Sequence, residues 1–257
     1  MGYRITVLGS GTIIPTARRR STAIIFETDS EVILFDCGPS IPRAVAVNGF
    51  SLRELDRIFI THFHPDHTLG LGHIFSAVIN DAGFPERKEF HLYGPEGIGG
   101  FIRKWHDLYP SNRKADRLFN VNEVHPGDRI KSSDLVISAG RAEHGEREAL
   151  MYRAEYKGLT FVFTGDTAFN QSLVEFAKGA DILAAECSFP DDNPAPGHMT
   201  PSDAGLLASM CGALRLLLIH MYPSQREGDM KRSIRRRYDG EIIVGEDGMT
   251  LEVDETG

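Results

Sequence analysis

The segment Thr61-His62-Phe63-His64-Pro65-Asp66-His67 constrains this chain more than any other feature. Four side chains of metal-ligand type fall within six residues, directly after Arg57-Ile58-Phe59-Ile60, which reads as a strand. His62 and His64 are two apart, so an extended backbone projects both to one side. Asp66 and His67 then occupy the turn that opens a helix predicted over Leu69–Ile79, where Leu71, Ile74, Phe75 and Val78 recur at three-to-four spacing. Burying this many ionisable groups without a cation is costly unless each is paired. Imidazole and carboxylate together suit zinc, manganese or iron(II), and no thiolate is needed.

Four ligands in one loop cannot complete two metal centres, and the missing partners are sought at other strand ends. His144 follows the predicted strand Leu135–Ala139, Asp166 follows Leu159–Thr164, and His220 follows Leu214–Ile219. Each lies just past an apolar run, as His62 does. These placements nominate seven residues without dividing them between two ions. Further strands are predicted at Tyr3–Leu8, Thr22–Glu27, Glu31–Asp36, Glu89–Tyr93, Met151–Tyr156, Ile182–Ala185, Ile242–Val244 and Thr250–Val253. Helices are predicted at Pro42–Asn48, Phe101–Leu108, Gln171–Lys178, Ser202–Met210 and Arg226–Arg236. Strands alternating with helices in both halves imply a layered α/β protein with helices covering sheets. No linker divides the chain, so residues 1–257 are expected to form a single domain, with a surface insertion at about 101–129. The stretch Tyr109–Arg129 has no legible periodicity.

Composition narrows the function classes. The balance of 28 Lys+Arg against 36 Asp+Glu leaves −8, which argues against a strongly basic nucleic-acid binder. Nuclease chemistry stays open, because bound cations reverse the local field. Cys37, Cys187 and Cys211 are far apart, so reduced buried thiols are expected and not a disulfide scaffold. The N-terminus reads as strand then turn, not as a signal peptide. No apolar run approaches the roughly 18 residues of a membrane span. A cytoplasmic location is the expectation that follows.

A wider set of short motifs is spread along the chain: Leu8-Gly9-Ser10-Gly11 with Pro15; Leu34-Phe35-Asp36-Cys37-Gly38; the loop 61–67; His144; Thr164-Gly165-Asp166-Thr167; Glu186-Cys187-Ser188-Phe189; Gly197-His198-Met199-Thr200; and His220. In these motifs the sequence resembles the metallo-β-lactamase-fold hydrolases, and among them the ribonuclease Z-like branch. The resemblance covers essentially the whole chain. It implies a four-layer αββα sandwich with a dinuclear metal site at the rim of two packed sheets. Carried onto this sequence, it gives His62, His64 and His144 to one ion and Asp66, His67 and His220 to the other, with Asp166 bridging. Two divalent metal ions are implied, zinc first, manganese or iron as alternatives. Such a pair activates a shared water and offsets charge on a phosphoryl or carbonyl oxygen. Asp66 would orient or deprotonate that water. By the same resemblance, His198 near Glu186 would be a proton donor oriented by a carboxylate.

The expected reaction is metal-dependent hydrolysis of a phosphodiester. Hydrolysis of a carboxylic ester, lactone or aryl sulfate is the alternative, and a non-enzymatic metal-binding or ligand-binding role is another. Ribonuclease Z enzymes usually carry a basic, glycine-rich arm that grips transfer RNA, in the bacterial short form between the third metal histidine and the bridging aspartate. Here His144 and Asp166 are only 22 apart, and predicted strands fill most of the interval. Transfer RNA is therefore disfavoured as a partner and a small phosphodiester or other ester is expected. A homodimer that sets Arg103, Lys104, Arg113, Lys114 and Arg117 of one subunit beside the metals of the other is the route by which an RNA grip would be rebuilt. Asp36 would orient a ligand histidine if its strand neighbours strand 57–61. Arg18-Arg19-Arg20 and the Lys231/Arg235 face are read as phosphate contacts or as solvated charge. Tyr222 and Ser224 are candidates for substrate contact, Trp105 and His106 for packing or a lid, and Pro190–Pro201 for an ordered active-site loop.

Overall fold

The central strands are near-continuous apolar runs, buried at successive positions, so both faces of two sheets are covered. The computed structural model describes residues 2–84, 89–145 and 148–254. Strands β1 (Tyr3–Gly9), β2 (Ala23–Glu27), β3 (Val32–Phe35), β4 (Arg57–Phe59), β5 (Phe90–Gly94) and β6 (Phe119–Glu123) form the first sheet. The second contains β7 (Arg129–Ser132), β8 (Leu135–Ala142), β9 (Ala149–Tyr156), β10 (Leu159–Phe163), β11 (Ile182–Glu186), β12 (Arg215–Ile219) and β13 (Glu241–Val244). The last strand, β14 (Thr250–Val253), returns to the first sheet and pairs antiparallel with β1. The sheet orders are β14-β1-β2-β3-β4-β5-β6 and β13-β12-β11-β10-β9-β8-β7. Within them β3-β4-β5-β6 and β10-β11-β12-β13 run parallel, so the C-terminal ends of these strands gather at one edge of each sheet.

Period-two alternation sorts the strand residues into three apolar layers. Ile5, Val7, Ile24, Phe26, Phe35 and Phe59 meet Leu150, Tyr152, Phe161, Phe163 and Leu217 between the sheets. Their alternates Leu8, Ile25, Leu34, Ile58 and Ile60 pack in the layer that holds α1 (Ile41–Val47), α2 (Pro65–Asn80) and α3 (Ile98–Leu108). On the far side Val162, Leu183, Leu216 and Leu218 pack with α4 (Gln171–Phe176), α5 (Pro201–Cys211) and α6 (Glu227–Arg235). Helices, sheet, sheet, helices: this is the expected αββα sandwich.

The departures from expectation are local. Helix α2 starts at Pro65, four residues earlier than its apolar pattern, and draws Asp66 and His67 into the first turn. Proline suits that position because its φ is preset and it has no N–H to leave unpaired. The unreadable stretch holds a 3-10 turn, Pro110–Ala115, followed by β6 and the start of β7. Parallel pairing of β6 with β5, from Phe90–Phe119 to Gly94–Glu123, makes this strand the outer member of the first sheet, and Phe119 stacks on Phe90 at 4.7 Å. The three cysteines are free and buried. Among the described residues no helix is long and apolar enough to cross a membrane.

Candidate metal centre

The histidine loop is held by the end of its neighbouring strand. Because β3 lies beside β4, Asp36 reaches Thr61 and accepts its N–H at 2.8 Å and its hydroxyl at 2.9 Å. The chain then continues through Cys37 and Gly38 against the first turn of α2. Cys37 N–H donates to the His67 carbonyl and Gly70 N–H to the Cys37 carbonyl, both at 2.8 Å. Gly38 is needed here, since a Cβ would stand 2.1 Å from the Asp66 carbonyl oxygen. From the second sheet, Gly165 turns the chain after β10 with φ +58° and brings Asp166 to the same rim. Non-glycine residues with positive φ among those described are Asp36, Ser133, Lys157 and His220. Ser133 and Lys157 lie between paired antiparallel strands; Asp36 and His220 lie at this rim, where backbone strain is held by its surroundings.

The seven nominated residues converge. One ligand-type atom each from His62, His64, His144 and Asp166 lies within 4.8 Å of the others, and the same holds for Asp66, His67 and His220. Asp166 Oδ2 sits centrally: 3.2 Å from His220 Nε2, 3.4 Å from His67 Nε2, 3.8 Å from His62 Nε2 and 3.9 Å from His144 Nε2. Asp66 Oδ2 is 3.5 Å from His220 Nε2 and 3.7 Å from His67 Nε2. His64 Nδ1 and His144 Nε2 face each other at 3.1 Å. Two nitrogens on one tetrahedral zinc at 2.0–2.1 Å would be about 3.3 Å apart. The Nε2 atoms of His62, His67 and His220 and the Oδ1 of Asp166 are buried without a hydrogen-bond partner. Orphaned buried donors and acceptors are costly, and a divalent cation is what this set of atoms fits.

Four of the five rings, those of His62, His67, His144 and His220, are anchored on their far side. Thr61 Oγ1 lies 2.9 Å from His62 Nδ1, Asp36 Oδ2 lies 2.7 Å from His67 Nδ1, the Gly197 carbonyl lies 2.9 Å from His144 Nδ1, and Ser188 Oγ lies 2.9 Å from His220 Nδ1. Acceptors on Nδ1 place that proton outward and leave the Nε2 lone pair inward, as metal-binding histidines require. Burial, reinforced by His67, holds His62 well below the usual imidazole range. Burial disfavours charge on His67, but Asp166 and Asp36 outweigh it and push this imidazole up. Burial disfavours charge on Asp166 too, and His220 and His67 overcome it.

Known proteins share this fold. The family described as the beta-lactamase superfamily domain matches residues 31–221. The chain belongs to the metallo-β-lactamase superfamily. A superfamily relative named ribonuclease Z from Methanothermobacter thermautotrophicus is 26% identical, covering 97% of this chain and 96% of its own. Another from Haloferax volcanii is 29% identical, with 98% and 96% covered. Among solved structures, the metallo-β-lactamase-fold protein YhfI from Bacillus subtilis superposes with a TM-score of 0.84 at 22% identity, covering 97% of this chain and 98% of its own. The human short-form tRNase Z gives 0.79 at 24% identity, with 98% and 99% covered. A diphosphatase of the PhnP family gives 0.74 at 20% identity, with 98% of each chain covered. The chain is thus a metal-dependent hydrolase of this superfamily.

Beside the superfamily's rim lies a second pair. Glu186, at the end of β11 and fully buried, takes His198 Nδ1 at 3.0 Å. Burial disfavours charge on His198, and Glu186 outweighs it, so the imidazole is pushed up. One His198 ring nitrogen comes within 4.8 Å of ligand atoms of Asp166 and His220. The Pro190–Pro201 segment reaches the site through the Gly197 carbonyl and His198. Tyr222 stacks on Phe189 at 4.5 Å and stands 6.0 Å from the His220 ring; Ser224 is exposed. The basic run is partly engaged elsewhere: Arg19 donates to Ser10 Oγ at 2.6 Å and to the Gly245 carbonyl, and Arg20 pairs with Asp247 at 3.4 Å. Lys231 pairs with Glu227 at 2.7 Å. His106 is buried against Phe75 with Asp116 at 2.9 Å from its Nδ1, and Trp105 stacks on Tyr109. Thr61, Ser188 and Gly197 were not singled out from sequence as anchors. Their one signal was membership of the short motifs.

Proposed function

We propose that this chain is a dinuclear phosphodiesterase acting on small phosphodiesters. His62, His64 and His144 would hold one divalent cation and Asp66, His67 and His220 the other, with Asp166 between them; zinc suits a nitrogen and oxygen donor set of this kind. The observation that carries the reading is the pair of buried Glu186 and half-buried His198 beside Asp166 and His220. A phosphodiester's leaving oxygen needs a proton, and a histidine kept charged by a buried carboxylate can give one. Cations bound there would act as Lewis acids that lower the pKa of water and offset charge on phosphoryl oxygens. Asp66 orients the attacking water through its carboxylate. His198 donates its Nε2 proton to the departing oxygen while Nδ1 stays on Glu186.

The names of the relatives support phosphoester chemistry without fixing the substrate. The alignment with the Methanothermobacter relative runs over 306 positions against the 257 residues here, so at least 49 positions face no residue of this chain. What supports a substrate smaller than transfer RNA is the interval between His144 and Asp166, which β9 and β10 fill, leaving no room there for an RNA-gripping arm. The test is a panel on zinc- or manganese-loaded protein: bis(p-nitrophenyl) phosphate, p-nitrophenyl acetate, a lactone, an aryl sulfate and a precursor transfer RNA. Turnover of the small diester with little cleavage of the RNA is expected. Preference for the carboxyl ester or sulfate, or efficient 3′ cleavage of the precursor, would overturn the proposal. His198→Ala should retain both metals and slow hydrolysis by about 10²–10⁴-fold, most on diesters with poor leaving groups.

A further inference from the structure

We infer that Ser188 is a positioning residue that sets the tautomer of His220 and ties it to the Glu186–His198 pair. The inference rests on the metal centre proposed above and adds a residue outside its ligand set. Ser188 follows β11 by two residues and is fully buried. Its Oγ lies 2.9 Å from His220 Nδ1, 3.4 Å from His198 Nδ1 and 3.1 Å from the His220 carbonyl, and it is hydrogen-bonded to Glu186 Oε2.

Proton counting decides the roles. A serine hydroxyl has one proton to give. The carboxylate of Glu186 is the strongest acceptor in reach, so the proton goes there. Toward His220 the oxygen then has only lone pairs, and His220 must carry its own proton on Nδ1. That leaves the lone pair on Nε2, the atom which stands 3.2 Å from Asp166 Oδ2 and has no partner. Glu186 meanwhile accepts His198 Nδ1–H at 3.0 Å and Thr167 N–H at 2.5 Å. One buried carboxylate therefore orders two histidines, His198 directly and His220 through a single hydroxyl. With alanine at 188, His220 Nδ1 loses its side-chain acceptor in a site 1% exposed. Nothing then holds the proton on Nδ1, and the tautomer with Nε2 protonated cannot ligate.

The test is zinc binding to chelator-stripped protein, titrated against a chromophoric competitor, with cobalt spectra as a second readout. Wild type should take two equivalents. Ser188→Ala should weaken one equivalent about 10–100-fold and leave the other within about twofold, with altered cobalt bands for the weakened equivalent only. Ser188→Thr keeps the hydroxyl and should restore both. If the alanine variant fails to fold, Ser188→Cys, a weaker acceptor of similar size, carries the same expectation. Unchanged affinity for both equivalents in the alanine variant, or equal loss of both without rescue by threonine, would overturn the inference. A wild-type chain that binds no metal would instead overturn the centre itself, and the inference with it.

Discussion

Asp36→Asn tests how the first sheet presents His67. The wild-type carboxylate is fully buried and accepts Thr61 N–H at 2.8 Å, the Thr61 hydroxyl at 2.9 Å and His67 Nδ1–H at 2.7 Å. Asparagine has nearly the same shape, and its carbonyl oxygen can keep Thr61 N–H. Its amide then points N–H groups at His67 Nδ1. Two donors cannot share that contact, so the His67 proton moves to Nε2, toward the other ligands. The fold loses one charge-assisted hydrogen bond and gains a weaker neutral one, a net cost of about 2 kcal/mol. For a chain of this size that lowers Tm by roughly 4–8 °C. A protonated Nε2 cannot bind a cation, so affinity for one equivalent should fall about 10–100-fold. Asp36→Ala is a harsher change. It strands three buried donors at about 1–3 kcal/mol each, comparable with the whole stability of a typical domain. Calorimetry and competitive zinc titration on chelator-stripped protein would read both effects. An Asn variant with wild-type affinity for two equivalents would refute the argument that Asp36 sets the tautomer.

Other outcomes follow from the same geometry. Asp166→Ala should lose at least one metal equivalent and nearly all activity while circular dichroism shows the fold intact; retention of both metals with normal turnover would remove Asp166 from the centre. Gly38→Ala puts a methyl 2.1 Å from the Asp66 carbonyl and 2.6 Å from Ser21 Cβ, so the first turn of α2 must shift. That overpacking should cost about 1–3 kcal/mol, seen as a lower denaturation midpoint, together with weaker binding of the cation nearest Asp66 and His67. The upward push on His67 in metal-free protein has a definite sign: below that raised pKa the ring is charged and a cation must displace its proton. Metal uptake near neutral pH should release protons and weaken by about tenfold per unit fall in pH for each proton displaced. Uptake without proton release would contradict the push.

The site was legible where its chemistry is local in sequence. His62, His64, Asp66 and His67 announce themselves because four rare ligand types share one loop. His144, Asp166 and His220 could be nominated because each follows an apolar run, although β8 in fact extends to Ala142. Asp36 was conditional on which strands pair, and the β3–β4 register supplies the condition. Serine and threonine are too common for Ser188 or Thr61 to stand out, and a carbonyl such as Gly197's carries no side-chain signal. Arg19 and Arg20 could not be placed either, because Gly245 and Asp247, which hold them, are more than 220 residues away. Strand β6 escaped detection because its sequence, FNVNE, sets exposed Asn120 and Glu123 among its few apolar residues.

The proposed ligands are divided between the two sheets: His62, His64, Asp66 and His67 hang from the end of β4, while His144, Asp166 and His220 follow β8, β10 and β12. A cation held by both groups is a rivet across a seam. The apolar layer between the sheets keeps a stripped sample folded, and at the rim Leu150 N–H donates to the Thr61 carbonyl at 2.9 Å, the Tyr152 hydroxyl to the Ile60 carbonyl at 2.7 Å and Met221 N–H to the Ser10 carbonyl at 3.1 Å. A cation adds to these bonds, so amide hydrogen exchange of Thr61, Leu150 and Met221 should be faster before loading than after it. Ions that bind the closed edge and not the open one deepen the closed state by RT ln(1 + [ion]/Kd). If these ligands hold cations, the rigidity of the working edge would follow the free-ion concentration of its surroundings, and scarcity of metal would loosen the seam before it unfolds the chain.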